Sequence, residues 1–274
     1  MTGIFFDGCA WASAYHLGVI DTINSTETPI AKAGGSSAGA VLAMALMLGV
    51  SSKELTATWN ELGRAARVHG CVGKMSLYQD AILRMWLPDG GPQYMSLNDR
   101  LFVGITTFPF APRLIHQWPS NANLRDCVHS SMHIPMYATY ETERVAIDGA
   151  WIQSFWDLPG VSFTIHVSPM DGAAHVTPHG PSVSFVDVIW PAHVEGRLRD
   201  LGRKNMADYL QGTRNRRFSV MRLVMPLRYG ALLAGWVMFF ARRALLAYLR
   251  RDRAGVGLVL ITWAIWRRHS VLKK

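Results

Sequence analysis

The chain has 274 residues, half of them hydrophobic and 17% charged, so it can bury a sizeable core and is not an intrinsically disordered protein. Its three cysteines are odd in number and lack Cys-x-x-Cys spacing, which argues against a disulfide framework and against a thiolate metal site. The net charge of +9 is uneven: residues 212–274 carry 14 basic residues and one acidic residue, and residues 1–211 carry 14 basic and 18 acidic. The opening stretch MTGIFFDG has neither a basic segment nor a long apolar one, so we expect no secretory signal and a chain that faces the cytosol.

The first fifty residues predict alternating strands and helices. A short buried strand over residues 3–6 is followed by a helix over residues 10–23, and a second strand over residues 30–33 leads into a glycine-rich turn. The next segment, AGAVLAMALMLGV, is apolar on every side and predicts a helix that is buried all round. This order of elements indicates an α/β fold with a parallel sheet.

Further elements are predicted up to residue 211. Ser51 and Glu54 match a capping box that opens a helix. Residues 100–108 and 113–117 predict a strand pair around a turn that contains proline, and residues 124–132 predict a short helix that ends before Pro135. Two more strands are predicted over residues 144–147 and 162–167, and a helix over residues 193–211.

The stretch AGGSSAGA, residues 33–40, contains the pattern Gly-x-Ser-x-Gly around Ser37. At average residue usage this pattern arises by chance in roughly one chain in ten of this length. Glycines permit a strained turn between a strand and a helix, and the helix N-terminus offers unpaired N–H groups to an oxyanion. The pattern therefore fits both a catalytic serine and an ordinary turn of small residues.

An esterase site also needs further N–H donors and a base. The turn over residues 7–13 joins the first strand to the first helix, and it lies beside the Ser37 turn if the two strands are neighbours. Most Asp-Gly pairs are simply turns, but Asp148 directly follows a strand-like lead and is the best placed base. The Asp-Gly candidates are Asp7, Asp89, Asp148 and Asp171.

Several segments, in the same order along the chain, resemble patatin-like phospholipase domains, especially the branch that contains adipose triglyceride lipase and adiponutrin. The run FDGCAWASAYHLGV, residues 6–19, is similar to the glycine-rich oxyanion segment of that family, GGSSAGA to its nucleophile turn, and IDGA to its aspartate motif. Three more runs resemble family segments, namely LRDCVHSSMHIP, HVSP and GRLRDLGRKNMADYLQ. The resemblance covers residues 3–211 and is far more specific than one Gly-x-Ser-x-Gly pattern.

The resemblance implies a three-layer α/β/α patatin-like fold with a mainly parallel sheet. It implies an enzyme that hydrolyses fatty acyl esters of glycerolipids, as a triacylglycerol lipase or a phospholipase A, with neither a metal nor another cofactor. Ser37 is implied as the nucleophile and Asp148 as the base of a Ser-Asp dyad that forms an acyl-enzyme. The other implied site residues are the oxyanion-hole residues Gly8, Cys9 and Ala10, and the nucleophile-turn glycines Gly35 and Gly39.

Three other interpretations remain open. An α/β-hydrolase would add a histidine to Ser37 and an acid, but several strands precede the nucleophile in that fold and only one fits here. A metal site at His129 and His133 has helical spacing, but Ser130 stands where a zinc-protease helix carries Glu. A lipid-surface binding or scaffolding protein with a weakened site is the third, because Ala10 and Ser13 stand where the family usually has glycine. The histidines that follow Asp148 in the order of a triad are His175, His179 and His193.

The basic segment over residues 212–274 is predicted to be an apolar helical tail, separate from a hydrolase domain over residues 1–211. Its uncharged runs YGALLAGWVMFFA and AGVGLVLITWAIW have 13 residues each and are flanked by arginines. A membrane span needs about 20 apolar residues, so each run alone predicts a monotopic or re-entrant anchor. We expect a membrane or lipid-droplet surface as partner, not nucleic acid, and a glycerolipid or phospholipid as substrate. The sequence does not indicate whether a protein activator takes part.

Overall fold

The computed structural model describes residues 1–71, 74–107, 111–134, 146–151, 155–178, 183, 187–188, 191 and 196–213. The predicted tail beyond Thr213 lies outside these residues, as do Pro135, His179 and His193. Within the described part of the chain, no helix combines the length and the hydropathy needed to cross a membrane.

Strands and helices alternate over the first fifty residues and occur in groups beyond them. The strands are β1 (Thr2–Phe6), β2 (Lys32–Ser36), β3 (Leu101–Thr107), β4 (Ala111–Ile115), β5 (Ala146–Asp148) and β6 (Phe163–Val167). The α-helices are α1 (Ala14–Ser25), α2 (Ala38–Leu48), α3 (Ser52–His69), α4 (Met75–Trp86), α5 (Gln93–Leu97), α6 (Asn121–Ser131) and α7 (Arg197–Leu210). Two 3-10 turns, Ala10–Ser13 and Gly149–Trp151, follow β1 and β5.

The six strands form one mixed, mainly parallel sheet flanked by helices, which confirms the three-layer α/β/α fold expected from the sequence. The strand order is β4-β3-β2-β1-β6. The pairs β1–β2, β1–β6 and β2–β3 are parallel, whereas β4 and β5 both run antiparallel to β3. Because β1 and β2 are parallel neighbours, the turns that follow them lie side by side.

The core surrounds the sheet on both faces. Helix α2 is buried from Gly39 to Ala45, as its uniformly apolar sequence predicts. Helices α1 and α7 pack backbone against backbone, because a Cβ on Gly18 would lie 1.9 Å from the carbonyl oxygen of Arg199. Small residues thus let elements far apart in sequence meet closely.

The structure corrects several predicted boundaries. Strand β2 begins at Lys32 and contains the glycines that were assigned to the turn, and α6 begins at Asn121, three residues earlier than predicted. Helices α4 and α5 were not predicted. The Ser51 hydroxyl caps α3 by accepting from the backbone N–H of Glu54 at 3.2 Å, and the predicted strand pair is the antiparallel pair β3–β4.

Candidate active site

Ser37 lies at the sharp turn between β2 and α2. Its backbone has φ 56° and ψ −131°, a left-handed conformation that is uncommon for a residue with a side chain. The turn is tight on both sides, because a Cβ on Gly35 would lie 2.3 Å from the carbonyl carbon of Gly39. A Cβ on Gly39 would lie 2.2 Å from the carbonyl oxygen of Phe6, so both glycines are required by close backbone contact.

Ser131, at the end of α6, holds the strained nucleophile turn. The backbone N–H of Ser37 donates to Ser131 Oγ at 2.9 Å, and the Ser131 hydroxyl donates to the carbonyl oxygen of Gly104 at 2.6 Å. Ser131 is fully buried. The hydroxyl thus links the turn to the middle of β3. Sequence reasoning did not single out this residue, whose only signal is the Ser-Ser pair in the run LRDCVHSSMHIP.

The register of the sheet brings Asp148 to the end of β2. Ser36, the last residue of β2, pairs with Gly104, and Asp148, the last residue of β5, pairs with the next residue of β3, Ile105. On its other side, Ile105 pairs with β4. Strands β2 and β5 therefore lie along the same side of β3, and their C-terminal ends meet there. Asp148 therefore lies next to Ser36 along this side of β3, since their partners Gly104 and Ile105 are consecutive residues.

Asp148 is 3% exposed and is held by backbone and side-chain contacts. Its Oδ1 accepts the backbone N–H of Ala150 at 2.9 Å. Its own N–H donates to the carbonyl oxygen of His133 at 3.0 Å, and its carbonyl oxygen accepts the Thr106 hydroxyl at 3.1 Å. The carboxylate is thus fixed at the junction of β5 with the following 3-10 turn.

The first turn, residues 7–13, is the third segment of the site, beside the Ser37 turn and the 3-10 turn that follows β5. A Cβ on Gly8 would lie 3.0 Å from the Cβ of Ser37 and 2.5 Å from that of Ala150, so Gly8 touches both other turns. Its N–H donates to Asp7 Oδ1 at 2.8 Å. Among the described residues, no acceptor receives the backbone N–H of Cys9 or that of Ala10, which leaves these two groups available to an oxyanion.

The two residues that replace family glycines behave differently. Ala10 has φ 45°, so it adopts the left-handed conformation despite its Cβ. Ser13 has φ −57°, which any residue adopts, and its hydroxyl accepts the indole N–H of Trp59 at 2.8 Å. Only Ala10 therefore carries backbone strain from the replacement.

Burial keeps the thiol of Cys9, in the first turn, and the nearby imidazole of His16, on α1, in their neutral forms. Burial raises the pKa of the Cys9 thiol well above its usual value, and the charges of Asp7 and Asp148 raise it further. Burial lowers the pKa of His16 to about 3. The Cys9 sulfur lies 3.5 Å from Nδ1 of this imidazole.

An apolar pocket opens at Ser37. Its empty volume is about 610 Å³, including solvent at its mouth. Aromatic and aliphatic side chains from the first turn, α2, α3 and α4 form its walls, among them Trp11, Val41, Trp59, Met75 and Ile82. The apolar lining of this pocket suits a hydrocarbon group rather than a polar one.

The other candidate sites have different surroundings. His175 Nδ1 accepts the backbone N–H of His166 at 2.9 Å, on the edge strand β6, and its ring stacks on that of His166. Strand β1 separates β6 from β2, so His175 is built into a different part of the sheet. The described residues contain no cluster of three or more His, Cys, Asp or Glu side chains that could hold a metal ion.

Comparison with known proteins identifies the family. No curated protein shows significant sequence similarity to the chain. Among solved structures, the chain is similar to the type III effector protein ExoU, with 13% identity and a TM-score of 0.40, over 96% of this chain and 69% of that one. The family model described as patatin-like phospholipase matches residues 4–175. The chain therefore belongs to the patatin-like phospholipases, a family of lipid acyl hydrolases.

Proposed function

We propose that the protein hydrolyses fatty acyl esters of glycerolipids through a Ser-Asp dyad formed by Ser37 and Asp148. The observation that carries this proposal is the register of β3, which sets the ends of β2 and β5 against each other. In this proposal the nucleophile, in a strained turn that lines an apolar pocket, takes its base from the buried carboxylate at the end of the neighbouring strand.

In the proposed reaction, the Asp148 carboxylate accepts the proton of the Ser37 hydroxyl as Oγ attacks the ester carbonyl carbon. The backbone N–H groups of Cys9 and Ala10 bind the oxyanion of the tetrahedral intermediate. The intermediate collapses, the carbon–oxygen bond of the ester breaks, and the leaving alcohol takes the proton from Asp148. Water, activated by the same carboxylate, then releases the fatty acid from the acyl-enzyme.

The pocket beside Ser37 holds the acyl chain in this proposal, and both neutral glycerolipids and phospholipids fit its apolar walls. The resemblance of the first turn to the branch containing adipose triglyceride lipase and adiponutrin supports acylglycerols as substrates. We further propose that the basic tail over residues 212–274 keeps the enzyme at the cytosolic face of a membrane or at a lipid droplet. The excess of arginines around its two apolar runs supports this placement.

A catalytically weakened lipid-binding protein is the second candidate. The observation that favours it is Ala10, whose Cβ adds strain at the position of a proposed oxyanion donor. The presence of both Ser37 and Asp148 favours the enzyme.

Labelling with a fluorophosphonate probe and analysis of lipid products separate these candidates. We expect the wild-type chain to label and to release fatty acid from mixed glycerolipids. Ser37→Ala should abolish both, and Asp148→Asn should lower hydrolysis about as far, by roughly 10³-fold or more, because the two groups act as a unit. The double variant should be no worse than either single one.

Histidine variants provide the control for the dyad. His175→Ala, His179→Ala and His193→Ala should keep most activity, because no imidazole relays the proton. A folded histidine variant as inactive as Ser37→Ala would restore the triad of an α/β-hydrolase. Absence of labelling in a folded wild-type chain would favour the lipid-binding protein.

A further inference from the structure

The end of α3 and the start of α4 expose apolar and cationic side chains together. Val68 is 70% exposed and Leu77 is 62% exposed. Between Glu61 and Asp80 the sequence contains no acidic residue. Residues 64–71 and 74–77 together form a surface that we name the hairpin tip. Its exposed cationic side chains are Arg64, which pairs with the exposed carboxylate of Glu61, Arg67, which also donates to the carbonyl oxygen of Pro191 at 3.2 Å, and Lys74.

The described residues of the hairpin tip are held in place by hydrogen bonds across it. The Lys74 ammonium donates to the carbonyl oxygen of His69 at 2.8 Å, and the Tyr78 hydroxyl donates to that of Gly70 at 3.0 Å. The exposure of Val68 and Leu77 is therefore a feature of the folded hairpin rather than of a frayed helix end.

The inner side of the same hairpin is a wall of the pocket at Ser37. Leu62 and Met75 both line that pocket. They also pack in a small cluster with Trp11, which lines the pocket from the first turn. The hairpin thus presents apolar groups outward to solvent and inward to the pocket, so a lipid at the hairpin tip is already beside the pocket.

We propose that the hairpin tip docks the protein onto an anionic lipid surface. Val68 and Leu77 enter the boundary between headgroups and acyl chains, and the three cations lie against the lipid phosphates. Each cation near such a surface strengthens binding about fivefold. The surface is separate from the basic tail. An acidic protein would match the charges, but the continuity of the apolar groups with the pocket favours lipid.

A fluorescent label tests this surface directly. Leu77→Cys, labelled with the environment-sensitive dye NBD in the full chain, should shift to the blue and brighten on vesicles of phosphatidylcholine with phosphatidylglycerol. Met95→Cys is the matched control, because Met95 is 63% exposed and lies on α5, which packs against α2 and α6. The native cysteines of the chain are buried, so the wild-type chain treated with dye is the blank.

The label gives a decisive result whichever way the chain binds. A shift at position 77 without one at position 95 supports the proposal. No shift at position 77, whether the chain binds by another surface, prefers an acidic protein or does not bind at all, overturns it. Equal shifts at both positions overturn it as well, because they indicate unfolding or unspecific adsorption.

Charge reversal tests the cationic contribution. Combining Arg64→Glu with Lys74→Glu should weaken binding to the anionic vesicles about tenfold or more at low salt. Lys53→Glu combined with Lys204→Glu reverses as many charges, on the N-terminal end of α3 and on α7, and should change binding less than twofold. Equal losses in the two variants would overturn the proposal. Neither measurement requires hydrolysis, so failure of docking and failure of the proposed esterase activity are distinguishable.

Discussion

The nucleophile turn and the first turn are neighbouring turns between a strand and a helix, and their strained residues have different surroundings. Each turn contains a residue other than glycine in the left-handed region, Ser37 at φ 56° and Ala10 at φ 45°. The backbone of the nucleophile turn is enclosed by Gly35 and Gly39, and its N–H is bound by Ser131. In the first turn, the N–H groups of Cys9 and Ala10 have no acceptor among the described residues.

Backbone strain therefore has a different role in each of the two turns. A strained residue persists only where the surrounding structure over-determines it, and in the nucleophile turn close backbone contacts do so. In the first turn, two backbone donors remain without a partner, which costs stability when they are buried. Such donors are useful if an oxyanion takes them during the reaction. Substitutions in each turn can test this distinction, beginning with the tightest contact.

Gly39→Ala should produce the largest loss. The added Cβ would lie 2.2 Å from a backbone oxygen of β1, so β1 or α2 must shift. We expect the free energy of unfolding to fall by about 2–4 kcal/mol, with loss of fluorophosphonate labelling. Urea unfolding followed by circular dichroism measures the first effect.

Gly49→Ala is the control for this experiment. Gly49 has φ 71° and no atom within 4 Å of an added Cβ, so the substitution adds backbone strain of about 1 kcal/mol without a clash. Equal losses in the two variants would show that β1 or α2 moves aside for the added Cβ at little cost, so that close contact does not make glycine necessary at position 39.

Ser131→Ala should have the next largest effect. It leaves the N–H of Ser37 and the carbonyl of Gly104 without the buried hydroxyl, which should cost about 1–3 kcal/mol of stability. Because Ser131 positions the nucleophile, kcat for a soluble short-chain ester should fall about tenfold while KM stays unchanged.

Ser130→Ala distinguishes positioning from general destabilisation. Ser130 is also buried, but its hydroxyl donates within α6, to the carbonyl oxygen of Asp126 at 2.8 Å. We expect kcat to stay near its wild-type value in this variant. A kcat that falls equally in both variants would remove the positioning role from Ser131.

The sequence predicted the parts of the site that depend on local structure. A turn between a strand and a helix is present at Ser37 as predicted, and the strand predicted over residues 144–147 is observed as β5, which includes Asp148 as its last residue. Ser131 could not be predicted, because its role depends on two contacts with residues distant in sequence. The end-to-end meeting of β2 and β5 depends on the register of β3, which carries no local signal.

Two errors in the predicted elements have physical causes. The end of β2 was placed at residue 33 instead of Ser36 because glycine has low strand propensity, whereas Gly34 and Gly35 are selected by close packing against neighbouring elements. Helix α4 was missed because exposed apolar residues, Leu77 and Met85, blur its helical periodicity. One of these residues, Leu77, belongs to the proposed docking surface.

His16 should make stability near the first turn depend on pH. Its pKa is about 3 in the folded chain because of burial, below about 6.5 in an unfolded chain. Its contribution to stability is therefore fully present above pH 6.5 and is lost as pH falls towards 3, by about 1.4 kcal/mol per pH unit. His16→Gln should reduce the slope of unfolding free energy against pH by this amount.

Phe6→Leu is the matched control for His16. The ring of Phe6 lies 5.2 Å from that of His16, so the substitution destabilises the same region of the core without removing a titrating group. The free energy of unfolding should fall at every pH, with the wild-type slope retained. An unchanged slope in His16→Gln would mean that this imidazole is protonated in the folded chain.

Ala10→Gly should produce the smallest change, and it tests the first turn most directly. Removing the Cβ at φ 45° relieves about 1–2 kcal/mol of strain, but glycine adds about 0.5–1 kcal/mol of conformational entropy to the unfolded chain. The net gain in stability is therefore about 0–1.5 kcal/mol, and a relaxed donor should raise kcat by a few-fold at most. Ser13→Gly is the comparison, because Ser13 is unstrained and its hydroxyl accepts the indole N–H of Trp59. That variant should lose about 1–3 kcal/mol. Destabilisation by Ala10→Gly comparable to that by Ser13→Gly would mean that Ala10 is not strained, and the contrast between the two turns would then disappear.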